Sequence, residues 1–318
     1  MSLLEVKSLY AGFRIKDRLY PAARDISFTL EKGHALGLIG ESGCGKTVTA
    51  YSIMRLLQSP GEIISGAVYF KDEDLLQCSE AEMRLKRGKE ISMIFQEPST
   101  ALDPCYTAGY QISETILAHQ NISKKEARNK AIELIESMKI PDPEKIYSCY
   151  PHELSGGMQQ RIMIASALAS GSSLMIADEP TTALDVTVQS QILSILKSKV
   201  EKEGLSLIFI SHDLGITANL CERTAVLYAG EIVEIGSSET IFSDPMHPYT
   251  QALIESIPAQ NCKEKHLNPI VGNVPPIDFE TKGCRFYDRC RERGPECLEN
   301  KILLEEKKKN HSARCIKK

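Results

Sequence analysis

An α/β fold with a parallel core is what this sequence predicts, on three observations. Short, continuous apolar runs recur at residues 35–39, 174–177 and 205–210, and such runs suit strands buried on both faces. Helical patterns alternate with them: residues 47–57 follow the first run, and Val188, Ile192, Ile195 and Leu196 mark an amphipathic helix ahead of the third. A glycine-rich turn at residues 40–45 stands between the first run and its helix, the order of a strand–loop–helix phosphate motif. Strands that alternate with helices in this way build an α/β core.

Taken in order, residues 3–39 read as strand-like segments separated by turns, the last of them leading into the glycine-rich loop. Pro60, Gly61 and Gly66 break the chain before a strand at residues 67–70, and residues 91–95 form another strand that ends at Gln96. Ser123 and Glu126 have the spacing of a capping box, and Ala127, Ala131, Ile135 and Met138 continue at helical spacing toward Pro141. A surface helix with one buried stripe accounts for them. A further helix runs over residues 158–168. Beyond it, Pro245, Pro248, Pro258, Pro269, Pro275 and Pro276 mark where the regular alternation fades. The expected division is 1–255 for a main domain, with helices over about 100–170, and 256–318 for an appended segment. No internal repeat is evident, and the charge run at 305–309 reads as solvated surface.

At 318 residues the chain can bury one substantial core and carry a small extra domain. Charged residues make up 25% and the formal net charge is -4, so nothing global points to nucleic acid. No apolar run is long enough to span a bilayer, and the N-terminus lacks a secretory pattern. A cytosolic chain is expected, with membrane association made through partners. Ten cysteines, several inside apolar stretches, fit a reducing compartment better than a disulfide scaffold.

The chemistry concentrates in four places. In the loop Gly40, Glu41, Ser42, Gly43, Cys44, Gly45, Lys46, Thr47, Val48, successive backbone amides at a helix start can face phosphate oxygens. Lys46 is expected to reach the β and γ phosphates, and Thr47 to place a hydroxyl on Mg²⁺. Asp178 ends an apolar run and is expected to hold Mg²⁺, while Glu179 beside it orients or deprotonates the attacking water. His212 follows residues 208–211 at the mouth of the sheet, where a γ-phosphate or water contact is expected. Gln96 can offer its amide oxygen to Mg²⁺ or the water. Finally, Ser155, Gly156, Gly157 and Met158 offer a hydroxyl and open amides at a second helix start, although the chain has only one phosphate loop. An ATP shared between two copies resolves that mismatch.

With these motifs in this order, the chain resembles the ATP-binding subunits of ATP-binding cassette (ABC) transporters, and among them those of dipeptide and oligopeptide importers. The resemblance covers nearly the whole chain. It implies a P-loop NTPase fold of the ABC ATPase type with a helical subdomain, ATP hydrolysis, and two sites formed head to tail, with residues 154–159 binding ATP held by the opposing subunit. It also implies Gln96 as the link to the membrane subunit, His212 as the switch histidine, Asp185 in a dimer-contact loop that begins at Thr182, and Phe13 as the aromatic residue stacked on adenine. Tyr10 and Tyr20 are neighbouring candidates, and base stacking of roughly 1 to 3 kcal/mol tolerates exchange among rings. The implied partners are two transmembrane permease subunits, a second related ATPase or a second copy, and, indirectly, an external peptide-binding protein. The place implied is the cytoplasmic face of the membrane.

Residues 96–104, His247–Thr250 and the cysteine-bearing tail resemble the peptide-importer branch, which nickel importers share. In that tail Cys284, Cys290, Cys297 and Cys315 leave gaps of five, six and seventeen residues. Their spacing favours a metal site without choosing between zinc and iron–sulfur. The resemblance implies a [4Fe-4S] cluster, with a structural role because so short a segment lacks a core of its own. Cys262 and Cys44 read as packing or loop residues, Cys44 with an oxidation-sensitive thiol. Competing readings are a soluble ABC ATPase of DNA repair or translation, and a nonhydrolytic subunit of a heterodimer. Intact Glu179 and His212 argue against the second.

Overall fold

The computed structural model describes residues 2–182, 184–256 and 270–318, so Pro258, Cys262 and Pro269 lie outside the described residues. The chain forms two compact units, one of Met1–Glu31, Ala35–Gln77 and Phe209–Lys318, the other of Lys32–His34 and Cys78–Ile208.

In the first unit, Ser2–Ile15 and Arg18–Glu31 are antiparallel neighbours, longer than the segments the sequence suggests. Lys16 and Asp17, at φ 48° and 62°, make the two-residue turn whose twist matches the paired strands. Gly61–Phe70 adds to the other edge of Ser2–Ile15, so the expected strand at 67–70 begins earlier. Ala35–Ile39 is wholly buried and runs parallel to Arg223–Tyr228, which pairs antiparallel with Glu231–Ser237. The helix after the glycine-rich loop spans Lys46–Met54. It stops short of residue 57 because Arg55 turns left-handed at φ 50°, and the amides of Arg55 and Leu56 close back on Ser52 and Tyr51.

In the second unit, Ile91–Ile94 and Leu174–Asp178 are parallel partners with every residue buried, as continuous apolar runs require. Between them in sequence lie the helices Ala108–His119, Lys124–Ser137 and Gly156–Ala169, which pack on one another. The capping box forms: the Ser123 amide donates to Glu126 Oε2 at 2.8 Å and the Glu126 amide to Ser123 Oγ at 3.2 Å. Ala127, Ala131, Ile135 and Met138 are buried, the stripe the spacing predicts. The amphipathic helix spans Val186–Glu203, burying Ile192, Leu196 and Val200 and ending at Gly204 with φ 70°. No helix among the described residues is long and apolar enough to cross a membrane, so the membrane association expected through partners is not made by a helix of this chain.

The expected [4Fe-4S] cluster is corrected by the tail's structure. Cys284, Cys290, Cys297 and Cys315 do line one cavity, but it encloses about 20 Å³, room for a single water. Among the described residues no group of three or more His, Cys, Asp or Glu side chains is disposed to hold a metal ion. Burial pushes the Cys284 thiol up to about 12 and raises Cys290 and Cys315 as well. Nor does the tail lack a core. Phe286 packs edge-on against Tyr228 and Tyr249 at ring separations of 5.1 and 5.4 Å, among Val226, Val233 and Leu253. His311–Ala313 extends the sheet beside Glu231–Ser237, and Glu305–Lys308 pairs with it in turn. Buried Glu234 fastens the arrangement, taking His311 Nε2 at 2.7 Å and the amides of Met246 and His247 at 2.7 and 2.9 Å. Apolar packing and main-chain pairing already tie the tail down, so the reason for expecting a cross-link falls away.

Candidate functional site

The phosphate loop is shaped by glycines at positions where a side chain has no room. Gly40 has φ 151°, and a Cβ there would come within 2.2 Å of Leu227 O; Gly45 has φ 100°, and its Cβ would meet Ala22 O at 2.3 Å. Gly43 differs: at φ 79° it faces open space. Gly45 begins the helix without a side-chain cap, and no acidic residue occupies the first turn. The amides at this helix start therefore keep their capacity for an anion.

Lys46 is almost wholly buried, and its Nζ donates to the carbonyls of Gly40 at 2.7 Å and Glu41 at 3.0 Å. The ammonium is thus held over the loop it belongs to. Thr47 and Val48 are half-buried and Ser42 is exposed. Cys44 is fully buried and burial raises its pKa, against the oxidation-sensitive thiol expected there.

Glu41 carries a contact that sequence reasoning missed. Its carboxylate accepts both arms of Arg289, Nη1 at 2.7 Å and Nη2 at 2.9 Å, and its amide donates to Tyr249 Oη at 3.0 Å. The bond to Glu41 raises the Arg289 pKa, with burial opposing it. A bidentate guanidinium–carboxylate pair fixes orientation as well as distance. Tyr249 lies in the 247–250 segment already singled out, but nothing near Arg289 signals its role.

Phe13 lies in Ser2–Ile15 directly opposite Tyr20, both half-buried, with Gly61 on its other side. Tyr10, the other neighbour, lines a separate cavity. His212 is exposed immediately after Ser206–Ser211, and Asp213 next to it caps the following helix by accepting the Ile216 amide at 3.0 Å.

In the second unit, Asp178 is fully buried at the end of its strand. Glu179 then takes a left-handed backbone at φ 46°, a strain of about 1 to 3 kcal/mol that turns its side chain out of the strand's alternation. Thr182 Oγ1 donates to its Oε2 at 3.1 Å, and Gln96 Nε2 does so at 3.5 Å. The Gln96 amide oxygen takes no part in that bond. Ser155 caps Gly156–Ala169, accepting the Met158 amide at 3.3 Å. A Cβ on Gly156 would meet nothing within 4 Å, and one on Gly157 only Leu184 at 3.6 Å, so this helix start is open. Gln160, buried one turn in, donates to Pro180 O at 2.7 Å and ties Gly156–Ala169 to the turn after Glu179. Asp185 is exposed and caps Val186–Glu203 through the Val188 amide at 3.0 Å. The units thus gather Gly40–Thr47 in one and Gln96, Glu179 and Thr182 in the other.

Comparison with known proteins gives a consistent picture. Residues 23–182 match the family described as ABC transporter, and residues 233–297 match the oligopeptide/dipeptide transporter, C-terminal region. The oligopeptide transport ATP-binding protein AppD of Bacillus subtilis is 44% identical over 99% of this chain and 96% of its own length. The dipeptide transport ATP-binding protein DppD of the same organism is 45% identical over 93% and 88%. Among solved structures, the dimeric post-hydrolysis state of the ATP-binding cassette MJ0796 bound to ADP and Pi superposes with a TM-score of 0.68 at 25% identity, over 74% of this chain and 98% of the other.

Proposed function

This chain belongs to the ABC transporter family as an ATP-hydrolysing subunit, and we propose that the work it powers is the import of dipeptides or oligopeptides. The observation that carries the reading is the phosphate loop. Its first helical turn is uncapped, Gly40 and Gly45 leave no room for a side chain, and its lysine is already bent over it.

In this reading the triphosphate lies against amides 41–48 with Lys46 on the β and γ phosphates, and the adenine stacks on Phe13. Mg²⁺ neutralises charge on the phosphates when bound. Thr47, Gln96 and Asp178 would each offer it the oxygen donor that Mg²⁺ takes, and the fully buried Asp178 carboxylate gains from a cation. Glu179 orients the attacking water, held by Thr182 and Gln96, and His212 contacts the γ-phosphate. Ser155, Gly156, Gly157 and Met158 close on the ATP of an opposing subunit, with Asp185 at the dimer contact. The solved dimeric cassette supports a dimer of this kind, either of two copies or with a related ATPase.

Residues 1–255 are the nucleotide-binding domain in this proposal and 256–318 the importer-specific extension. Two permease subunits hold the pair at the cytoplasmic face of the membrane, and an external binding protein supplies the solute. A nickel importer of the same branch is the alternative cargo.

The test is reconstitution in vesicles with the permease subunits. Glu179→Gln is expected to lower turnover by about 10²- to 10⁴-fold while ATP still binds, and Lys46→Ala to weaken ATP binding itself. Uptake of a labelled dipeptide that follows turnover supports the proposal. Uptake of nickel alone, or full hydrolysis by Glu179→Gln, sinks the cargo or the catalytic assignment respectively.

A further inference from the structure

One cavity of the first unit, lined by no residue of the phosphate loop, is built for a negative charge. It encloses about 460 Å³, within the range of small-molecule sites and far more than one inorganic phosphate needs. Its walls carry Arg24, Arg285 and Arg314 together with Lys282 and Lys301, against Glu231 and Glu299.

The arginines are not spent on one another's surroundings. Arg285 is 8% exposed, and its Nη2 donates to Phe279 O at 2.8 Å; Arg24 Nη2 donates to Ile277 O at 3.1 Å. Both acceptors are neutral carbonyls. The Nε atoms of both residues are buried without a hydrogen-bond partner, and neither guanidinium makes an ion pair among the described residues. Arg314 is 5% exposed and partly satisfied, by Ile232 O at 3.1 Å, Ile302 O at 2.9 Å and Asp25 at 3.8 Å. Burial lowers the pKa of Arg24 and of Arg285, and Arg24 lowers that of Arg285 further, the signature of like charges held together. Glu231 and Glu280 are the carboxylates that act on both guanidiniums, but neither is in ion-pair contact with them among the described residues, and burial raises the pKa of Glu231.

Unpartnered buried donors on a cation cost stability, so a fold that keeps two of them side by side on a cavity wall has a use for them. Guanidinium forks match carboxylate and phosphate oxygens in shape. We propose that this cavity binds a small oxyanion of more than one negative charge, held by Arg24 and Arg285 with Arg314 and Lys301 beside them. The size of the cavity sets the class at a metabolite rather than a lone ion, and the shared chemistry is the oxyanion, carried by either carboxylate or phosphate.

Isothermal titration calorimetry of the full chain tests it, in EDTA with saturating ADP so that the phosphate loop is occupied. Citrate and pyrophosphate are the two probes, with sodium chloride at matched ionic strength as the control. Saturable one-to-one binding of at least one probe is expected, weakened at least tenfold by Arg285→Gln and by Arg24→Gln. Binding of citrate alone assigns a carboxylate ligand and binding of pyrophosphate alone a phosphate ligand; each supports the site. Thermal melting of both variants checks their folding, and the half-buried Arg24 position serves if Arg285→Gln unfolds. No saturable binding, binding only when ADP is left out, or binding that both folded variants retain would each overturn the proposal.

Discussion

Thr182 is where a single hydroxyl has an assignable job. It follows a strained Glu179, and its Oγ1 donates to the Glu179 carboxylate at 3.1 Å, so it helps hold the side chain that orients water. Removing it with Thr182→Val is expected to slow ATP turnover several-fold, about 1 kcal/mol, with KM for ATP little changed. Thr182→Ser keeps the hydroxyl and should keep the rate. Equal turnover in both variants would mean that the bond does not position Glu179.

Short elements of the tail and the segment before it act on the loop by direct contact. Arg289 ends the turn Tyr287–Arg289 and grips Glu41 with two hydrogen bonds. Arg289→Ala should cost about 1 to 3 kcal/mol in urea unfolding and weaken nucleotide binding, whereas a variant with unchanged ADP affinity would confine the pair to stability. His247 governs a different element: fully buried, it starts Pro248–Glu255 by accepting the Tyr249 amide at Nδ1, 3.1 Å away. An accepting ring must be neutral, and burial drives its pKa from 6.5 down to about 3. On acidification the unfolded chain therefore takes up this proton first. The contribution is complete above pH 6.5 and is lost as pH falls from 6.5 toward 3, by at most about 1.4 kcal/mol per pH unit. Unfolding midpoints measured from pH 7.5 to 5 should fall accordingly, and His247→Asn, which caps without titrating, should flatten the slope. An equally steep slope in that variant would place the titration elsewhere.

At the scale of the molecule, the two open helix starts are chemically unequal. One brings a lysine and a glycine loop, the other only Ser155 and open glycine amides. A second copy is what makes them complementary. Glu179→Gln with ATP is expected to elute as a dimer in size-exclusion chromatography and as a monomer with ADP. Gly156→Glu tests the interface without disturbing the fold, because a Cβ there meets nothing, while its carboxylate would face the ATP phosphates. Should the doubly substituted chain still dimerise with ATP, the start of Gly156–Ala169 is not the closing surface.

Much of this was legible from residue order alone, because it depends on local backbone chemistry. Gly40 and Gly45 announce a loop whose backbone has no room for a side chain at those two positions, and Ser123 with Glu126 announces a helix start. Continuous apolar runs announce buried strands, and these formed at 35–39, 91–94 and 174–178. What stayed hidden depends on residues distant in sequence. Nothing local to Arg289 says that it meets Glu41, 248 positions earlier, or that Phe286 and His311 anchor the tail in an existing core and sheet. The four tail cysteines show the limit most clearly. Their types and spacing suggested a cluster, whereas burial, a cavity of about 20 Å³ and the surrounding apolar contacts belong to the folded chain. Sequence determined the phosphate-loop chemistry because adjacent residues make it; tertiary structure decided which charges meet and which thiols are buried, because only packing sets distance and solvent access.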